Sequence, residues 1–408
     1  MPDGEEAGRW RRLRILFLNQ YLPPDVAATA YRLADLAEDL SVDHDIWILA
    51  GRPSYNPGTE SFACPGVKVV RVGSLSLPRT SMAGRALNYF SFLAGALVKV
   101  WSVPRPDVVV AMTDPPVIGL IGVLVARRHR VPFVQVYMDL YPDIAVALRR
   151  ADNRVLVWLW HRLNRVVRGT AVRIVVVGRD MRERLLAQGV PPDKIVVRPN
   201  WANEPKATPS DVEAVREAMG WTGRSVVMFA GNLGLAQGLD SMIDAAVGLR
   251  RHQPILFVLV GDGAAKAGLQ QKAEALGLAN VVFHPYRPHE EAQVLAAAAD
   301  LHVISLAHGL LGTATPGKVY EIMAAGKPFV AAVQDGSEIA RLIDEHGCGV
   351  RVDPGDGAAM ADAILAVLGD DGGDMGRRGR EAFEAGSTRE IATAAYRDLL
   401  EHVARRST

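Results

Sequence analysis

Cysteine is nearly absent from this chain. Its two copies, Cys64 and Cys348, lie far apart, and neither sits in a CxxC pair or a metal-ligand spacing. That leaves no disulfide framework and no cysteine-based metal site, and a reducing cytosol is the simplest compartment. Net charge is scarce as well. Lys and Arg number 46 against 45 Asp and Glu, a formal +1, so nothing global calls for nucleic acid as a partner. Long apolar runs are missing. The longest uncharged apolar stretch near a possible span runs from Ala86 to Val98, short of the roughly 20 residues a bilayer requires. The opening residues, MPDGEEAGRWRRLRILFLNQY, put acids before bases and hold no apolar core with a small-residue cleavage site. No secretory signal is expected from them.

What the chain does have is a steady alternation. At 408 residues it is too long for one compact core, and two domains are expected. Runs rich in Val and Ile alternate with longer segments: RILFLNQY, DIWILA, VKVVRVG, DVVVAM, PFVQVYM, VRIVVVG and KIVVRP. Most are apolar at consecutive positions, the pattern of a parallel strand buried on both faces. The intervals are long enough for crossover helices, so βαβ units follow. The rhythm pauses at RPNWANEPKATPSD, residues 198–211, where three Pro and several polar residues mark a linker. It restarts with SVVMFAG, ILFVLVG, VVFHPY, LHVISL, PFVAAV and GVRVDP, and from about Asp374 the chain reads as helix. The expected fold is α/β: two doubly wound Rossmann-like parallel-sheet domains facing a cleft. They span 1–200 and 201–385, and 386–408 forms a last helix able to pack back on the first domain. Open α/β sheets bind ligands outside the carboxyl ends of their strands. Two facing sheets therefore suit two substrates.

The stretch TPGKVYEIMAAGKPFVAA, residues 315–332, follows one such strand end. Thr315 suits a helix N-cap and Pro316 the first helical position. Lys318 then falls in the first turn and Glu321 in the second. A helix N-terminus attracts phosphate through free N–H groups and its dipole, and Lys318 adds a charge there. Glu321 would repel phosphate. A ribose suits it, since a carboxylate accepts hydrogen bonds from two vicinal hydroxyls. The plain alternative is a surface ion pair worth roughly 0.2–0.5 kcal/mol. Other loops of the same half favour a ligand. FAGNLGLAQGLD sets Gly231, Gly234 and Gly238 in a turn that lets backbone approach phosphate. VGDGAAKAG holds Gly261, Asp262 and Gly263, but Lys266 stands where a dinucleotide fingerprint has its last Gly, which counts against NAD. FHPYRPHEE puts Tyr286 and Arg287 where a base would lie. A nucleotide across that sheet edge accounts for all four loops.

With those loops in place, the sequence resembles the family 4 glycosyltransferases of GT-B fold. It is most similar to the bacterial O-antigen and colanic-acid type, which builds surface polysaccharides on a lipid carrier. The resemblance runs through NQYLPPDVAATAYRLADLAEDL, PDVVVAMTDPPVIG, PFVQVYMDLYPD and VVRPNWAN into the second half and covers nearly the whole chain. It implies sugar transfer with retention from a nucleotide-sugar, a UDP-sugar foremost, held by the second domain. The acceptor would sit on the first domain, with no catalytic metal and no other cofactor. By position, Glu321 matches the family's ribose-binding glutamate. Lys318, with Thr315 and Gly317 before it, matches the diphosphate region, and Asp262 lies in the GDG turn. Gly231, Asn232, Gln237 and Arg287 complete the donor-binding candidates. Three places depart from the family. Thr313 stands where a sugar-facing glutamate is frequent, so a polar contact is kept without a carboxylate. Asn232 and Gln237 stand where Arg and Lys are common, which leaves more of the diphosphate charge to Lys318 and to helix N-termini. Ala27 and Ala28 replace the Gly-Gly of the first loop, which approaches the diphosphate closely.

By the same resemblance no protein nucleophile is required. The departing phosphate oxygen acts as base, while Lys318 and helix N-termini stabilise charge on the leaving diphosphate. On the acceptor side, YMDLYPDIA offers Asp139 and Asp143; Met138 stands where many members carry a histidine. Asp139 would orient the acceptor hydroxyl or the donor sugar, and both aspartates also suit helix N-caps. Asn19 and Thr29 are weaker first-loop candidates, since both residue types are ordinary loop formers. From Arg149 to Arg168 six arginines stand against one acid, Asp152. On a helical wheel Arg154, His161, Arg162, Arg165 and Arg168 share one face, and Leu156, Leu159, Trp160, Leu163 and Val167 the other. That suits a membrane surface, and equally an apolar face packed on the sheet beneath solvated arginines. RALNYFSFLAGALVKVW, residues 85–101, is either core or a groove for a lipid tail. The expected partners are a nucleotide-sugar donor, a lipid-linked or small-molecule acceptor, and the inner face of the cell membrane. A tailoring transferase on a soluble acceptor, an epimerase of UDP-linked amino sugars and a non-catalytic binding subunit are the competing readings.

Overall fold

The computed structural model describes residues 11–25, 27–53, 62–75, 77, 82–151, 153–251, 254–287 and 289–406. Asp152, the one acid of the arginine-rich stretch, lies outside them. All thirteen apolar runs form strands, in two sheets. The first holds β1 (Arg14–Leu18), β2 (Asp45–Gly51), β3 (Val67–Val72), β4 (Val108–Ala111), β5 (Phe133–Tyr137), β6 (Arg173–Val176) and β7 (Ile195–Val197). Their order is β3-β2-β1-β4-β5-β6-β7. Every pairing is parallel, with Ile15 opposite both Ile46 and Val108. β4 and β5 are buried at every position, because helices cover both faces of the sheet. Those helices are α1 (Ala28–Ser41), α2 (Met82–Lys99), α3 (Gly119–His129), α4 (Asp143–Ala147), α5 (Arg154–Thr170) and α6 (Arg179–Ala187).

The second half repeats the plan. After α7 (Pro209–Ala218) come β8 (Ser225–Ala230), α8 (Asp240–Gly248), β9 (Ile255–Val260), α9 (Lys266–Ala275), β10 (Val281–His284) and α10 (His289–Ala297). Then follow β11 (Leu301–Ser305), α11 (Lys318–Ala324), β12 (Phe329–Ala332), α12 (Glu338–His346), β13 (Gly349–Val352), α13 (Gly357–Ala366), α14 (Gly372–Gly386) and α15 (Arg389–Arg405). The strand order is β10-β9-β8-β11-β12-β13, again parallel throughout. Each sheet reverses direction beside its first strand, between β1 and β4 and between β8 and β11. Loops diverge at such switch points and leave a crevice.

The linker is shorter than the composition of 198–211 suggests. Thr208 accepts from Asp211 N, the Asp211 carboxylate accepts from Thr208 N, and Pro209 takes the first helical position, so α7 begins there. Nor is the linker loose. Trp201 is 1% exposed within the first core, donates from Nε1 to Asp35 at 3.0 Å and meets the Tyr396 ring edge-on at 6.0 Å. The chain crosses back between α14 and α15, where Ala202 pairs with Thr388. Tyr396, Leu399, Leu400 and Val403 of α15 then join the core built on β1 and α1. Arg389 at the start of α15 binds Asp35, Glu38 and Asp39 of α1 at 3.2, 2.9 and 2.7 Å.

Candidate active site

On the second domain, three loops fuse into one surface at the carboxyl edge of the sheet. Gly231 and Gly261 both take positive φ, +151° and +142°. A Cβ on Gly261 would lie 1.9 Å from the Gly231 carbonyl oxygen, so the two turns stack backbone on backbone and only glycine fits. Leu233 N donates to Asp262 O at 2.8 Å, and Ala307 N to Ala236 O at 2.7 Å, which ties the β11 loop to the same surface. Asn232 is exposed, while Gln237 is half-buried with its Oε1 buried. Asp262 is exposed, and its carboxylate accepts from the next backbone N–H, Gly263 N, at 2.8 Å. Lys266 donates to Gly261 O at 3.1 Å, which explains a lysine in place of a fingerprint glycine. Arg287 lies at the outer strand β10, 3.7 Å from Glu291, two strands away from β8.

The 315–332 stretch differs from expectation in its first turn. α11 begins at Lys318 with Gly317 at the cap and no side-chain cap. Thr315 is not the N-cap. It is 8% exposed and its hydroxyl is buried. The backbone before it is drawn across to the first domain, where Leu140 N donates to Thr313 O at 2.8 Å and Ala314 bridges Asp139. The chain turns into helix only after that. Thr313 is fully buried and its hydroxyl donates to Leu310 O at 2.7 Å, so it has no exposed atom to offer a sugar. Gly317 packs on the linker, where an added Cβ would lie 3.2 Å from Asn200 Nδ2. Lys318 and Glu321 do pair, at 2.8 Å, and remain 47% and 35% exposed at the seam. Arg32 of α1 reaches Glu321 from the other domain at 3.4 Å.

On the first domain, the sequence candidates divide. Asp143 is not an acceptor group. It is 7% exposed and accepts from Arg184 Nε and Nη2 at 2.8 and 2.7 Å and from Gln188 at 2.9 Å. Arg184 in turn donates to Leu311 O, so this pair anchors the β11 loop. Asn19 is fully buried and uses both ends on backbone, accepting from Asp114 N and donating to Tyr21 O. Thr29 is 6% exposed and donates to Asp114 Oδ2 at 2.7 Å. Both residues support Asp114 rather than face a substrate. Asp139 stays partly exposed beside it. Met138 N donates to the Thr113 hydroxyl at 2.8 Å, so the turns after β4 and β5 run side by side, each with an aspartate next. Burial first, then the Asp114 charge, raise the Asp139 carboxyl to about 7. Asp114 escaped the sequence reading. Its signal was a carboxylate just past a buried strand, in TDPP. Thr29 and Arg32, one turn apart on α1, link the two clusters: one holds Asp114 beside Asp139, the other meets Glu321. Among the described residues, no three His, Cys, Asp or Glu side chains gather as metal ligands.

The wheel drawn for α5 needs correction too. Arg168 is buried, 7% exposed, with its guanidinium over the Tyr137 ring at 5.6 Å. Val167 is buried and Trp160 and Leu163 half-buried. Val155, Leu156, Trp158 and Leu159 instead point outward, beside exposed Arg154, Arg162 and Arg165. α2 buries Phe92 and Ala96 but exposes Phe90, Leu97 and Val98. No helix among the described residues is long and apolar enough to cross a membrane.

Two doubly wound domains meeting at the carboxyl ends of their sheets define the GT-B architecture. Anabaena HepE, solved with UDP-glucose, superimposes with a TM-score of 0.72 at 19% identity, over 96% of this chain and 100% of that one. The model for a glycosyl transferase 4-like domain matches residues 26–201, and that for glycosyl transferases group 1 matches 224–370. The chain belongs to this glycosyltransferase family. WbjE of Pseudomonas aeruginosa, a probable glycosyltransferase, is 30% identical over 264 residues, 64% of this chain and 66% of its own. WcaI of Escherichia coli, described as a colanic acid biosynthesis glycosyl transferase, is 28% identical over 200 residues, 48% of this chain and 49% of its own. The matches thus span about two thirds and about half of those relatives' lengths.

Proposed function

We propose that this chain transfers a sugar, with retention and without a metal, from a UDP-sugar to a saccharide on a lipid carrier in surface polysaccharide assembly. The observation that carries this reading is the seam itself. Glu321 pairs with Lys318 of its own domain and with Arg32 of the other, and Arg32 lies one turn along α1 from Thr29, which holds Asp114 beside Asp139. The donor lies across the glycine turns of the second domain with its ribose on Glu321 and its diphosphate toward Lys318. Charge that develops on the leaving diphosphate is stabilised by Lys318, fixed in place before the bond breaks. Asp139, when ionised, accepts a hydrogen bond from the acceptor hydroxyl and orients it. The hydroxyl proton passes to the departing phosphate oxygen on the same face of the sugar, which accounts for retention.

The lipid part of the reading rests on the outer face of the first domain. Together α2, α3 and α5 contain not one Asp or Glu, and they expose Lys99, Arg127, Arg128, Arg154, Arg162 and Arg165. α3 carries Arg127 and Arg128, and its end meets the turn that follows α2 through the Trp101–His129 ring contact at 6.2 Å. Exposed aromatic and aliphatic side chains among arginines suit the headgroup region of an anionic bilayer.

A thermal-shift titration with UDP, GDP, ADP and dTDP tests the donor side. UDP stabilises the wild type through binding linkage, and Glu321→Ala weakens UDP by roughly ten- to hundredfold, the worth of hydrogen bonds to a charged group. No response to any nucleotide would overturn the reading.

A further inference from the structure

Arg32 lies on α1 one turn after Thr29 and is 8% exposed. A guanidinium carries five N–H donors, and taking it out of water is costly unless they are matched. Its contacts are loose. Glu321 lies at 3.4 Å, Asp35 at 3.9 Å, and the Trp201 ring centre 5.4 Å from its Cζ. Both carboxylates have closer partners. Glu321 has Lys318 at 2.8 Å, and Asp35 has Arg389 at 3.2 Å and the Trp201 N–H at 3.0 Å. Arg32 is thus never the nearest partner of either acid. Two cations, Lys318 and Arg32, converge on one carboxylate from opposite domains.

On the reading of Glu321 as the ribose residue, we propose that Arg32 is a donor-phosphate ligand reaching over from the acceptor domain. When ribose hydroxyls take the Glu321 oxygens, the Arg32 fork turns to the phosphate joined to that ribose. A planar fork matches two phosphate oxygens at once, and its stem stays on Trp201. This puts a cation on the diphosphate where Asn232 and Gln237 bring none. The ligand class is a nucleoside diphosphate; a nucleoside alone has nothing to offer Arg32.

The test compares dissociation constants for UDP and for uridine on the full chain, in wild type, Arg32→Met and Arg32→Lys. Methionine keeps length and packing on Trp201 while it removes the charge. The expected result is UDP weakened roughly ten- to hundredfold in Arg32→Met and uridine by less than about twofold. Arg32→Lys falls between, because the charge remains and the fork is lost. An unchanged UDP-to-uridine ratio in Arg32→Met overturns the inference and leaves Arg32 as a packing residue. If Arg32→Met does not fold, Arg32→Lys carries the same comparison, and an unchanged ratio there overturns it equally. Wild type that binds no UDP at all defeats the glycosyltransferase reading instead, so the two failures are told apart.

Discussion

The Asp143 carboxylate lies 2.7 Å from Arg184 Nη2 and is almost wholly buried, while Arg184 also donates to Leu311 O in the other domain. The pair therefore joins the first domain's interior to the loop that leads to Lys318. Arg184→Ala strands a buried carboxylate and frees that loop. It should cost about 3 kcal/mol or more of stability, read as a lower midpoint in urea. A midpoint equal to wild type would mean that the pair is solvated in solution.

Asp139 gives the chain a pH signature. Its folded value, about 7, exceeds the ordinary 3.8. The group therefore contributes stability that is fully present below the unfolded value and is lost as pH rises through about 7. Between about pH 4 and 7 this component makes wild type progressively less stable. Asp139→Asn should remove that fall in Tm. Asp114→Asn should move it to lower pH, since burial alone then remains. Carbon-13 NMR of labelled aspartate checks the same point, with one carboxyl titrating near neutrality in wild type.

His302 acts in the opposite sense. Burial holds it near 4, and its ring nitrogen donates to Ala296 O at 2.9 Å as the neutral form. A histidine depressed on folding contributes stability above pH 6.5 that is lost as pH falls toward 4. His302→Gln should flatten the fall in Tm over that acid range, measured against wild type in the same buffers.

The outer face of α5 predicts a salt-sensitive membrane contact. Arg154, Arg162 and Arg165 should each contribute about 1 kcal/mol on an anionic surface. Changing all three to Gln should therefore reduce sedimentation with phosphatidylglycerol vesicles by roughly a hundredfold in affinity. Trp158→Glu should abolish it with Tm unchanged, since that ring is 56% exposed. Equal sedimentation of wild type and variants, or none by wild type, would favour a soluble acceptor.

Gly261→Ala tests the stacked turns. The new methyl would meet the Gly231 carbonyl oxygen, so one turn must move away from the other. UDP stabilisation should disappear even where the variant folds. Retained UDP binding would mean that the ligand does not rest on these turns.

Much was legible in the sequence. Consecutive apolar runs such as ILFVLV and VVVA marked parallel strands because burial on both faces is a local compositional demand. The glycines of 229–240 and 261–263 marked the turns, where Gly231, Gly238, Gly261 and Gly263 take positive φ. The spacing of Lys318 and Glu321 set their pairing on one helix face. Other readings failed for a shared reason. Asp143 and Thr313 looked like loop residues beside a site, but Asp143 is held by Arg184 and Gln188 at the end of a later helix, and the Thr313 carbonyl by Leu140 of the other domain. Thr315 looked like a helix cap, but its backbone is drawn toward the first domain before the helix starts.

By itself the sequence determined the two sheets, their loops and the family, since hydrophobic period, turn chemistry and motif spacing act over a few residues to a few tens. Only the tertiary structure decided that Arg32 meets Glu321, 289 residues away, that Asp114 stands beside Asp139, and that α5 turns Trp158 outward. Such pairings depend on how two finished domains close on each other, and that closure is set by many contacts together, with no single segment encoding it.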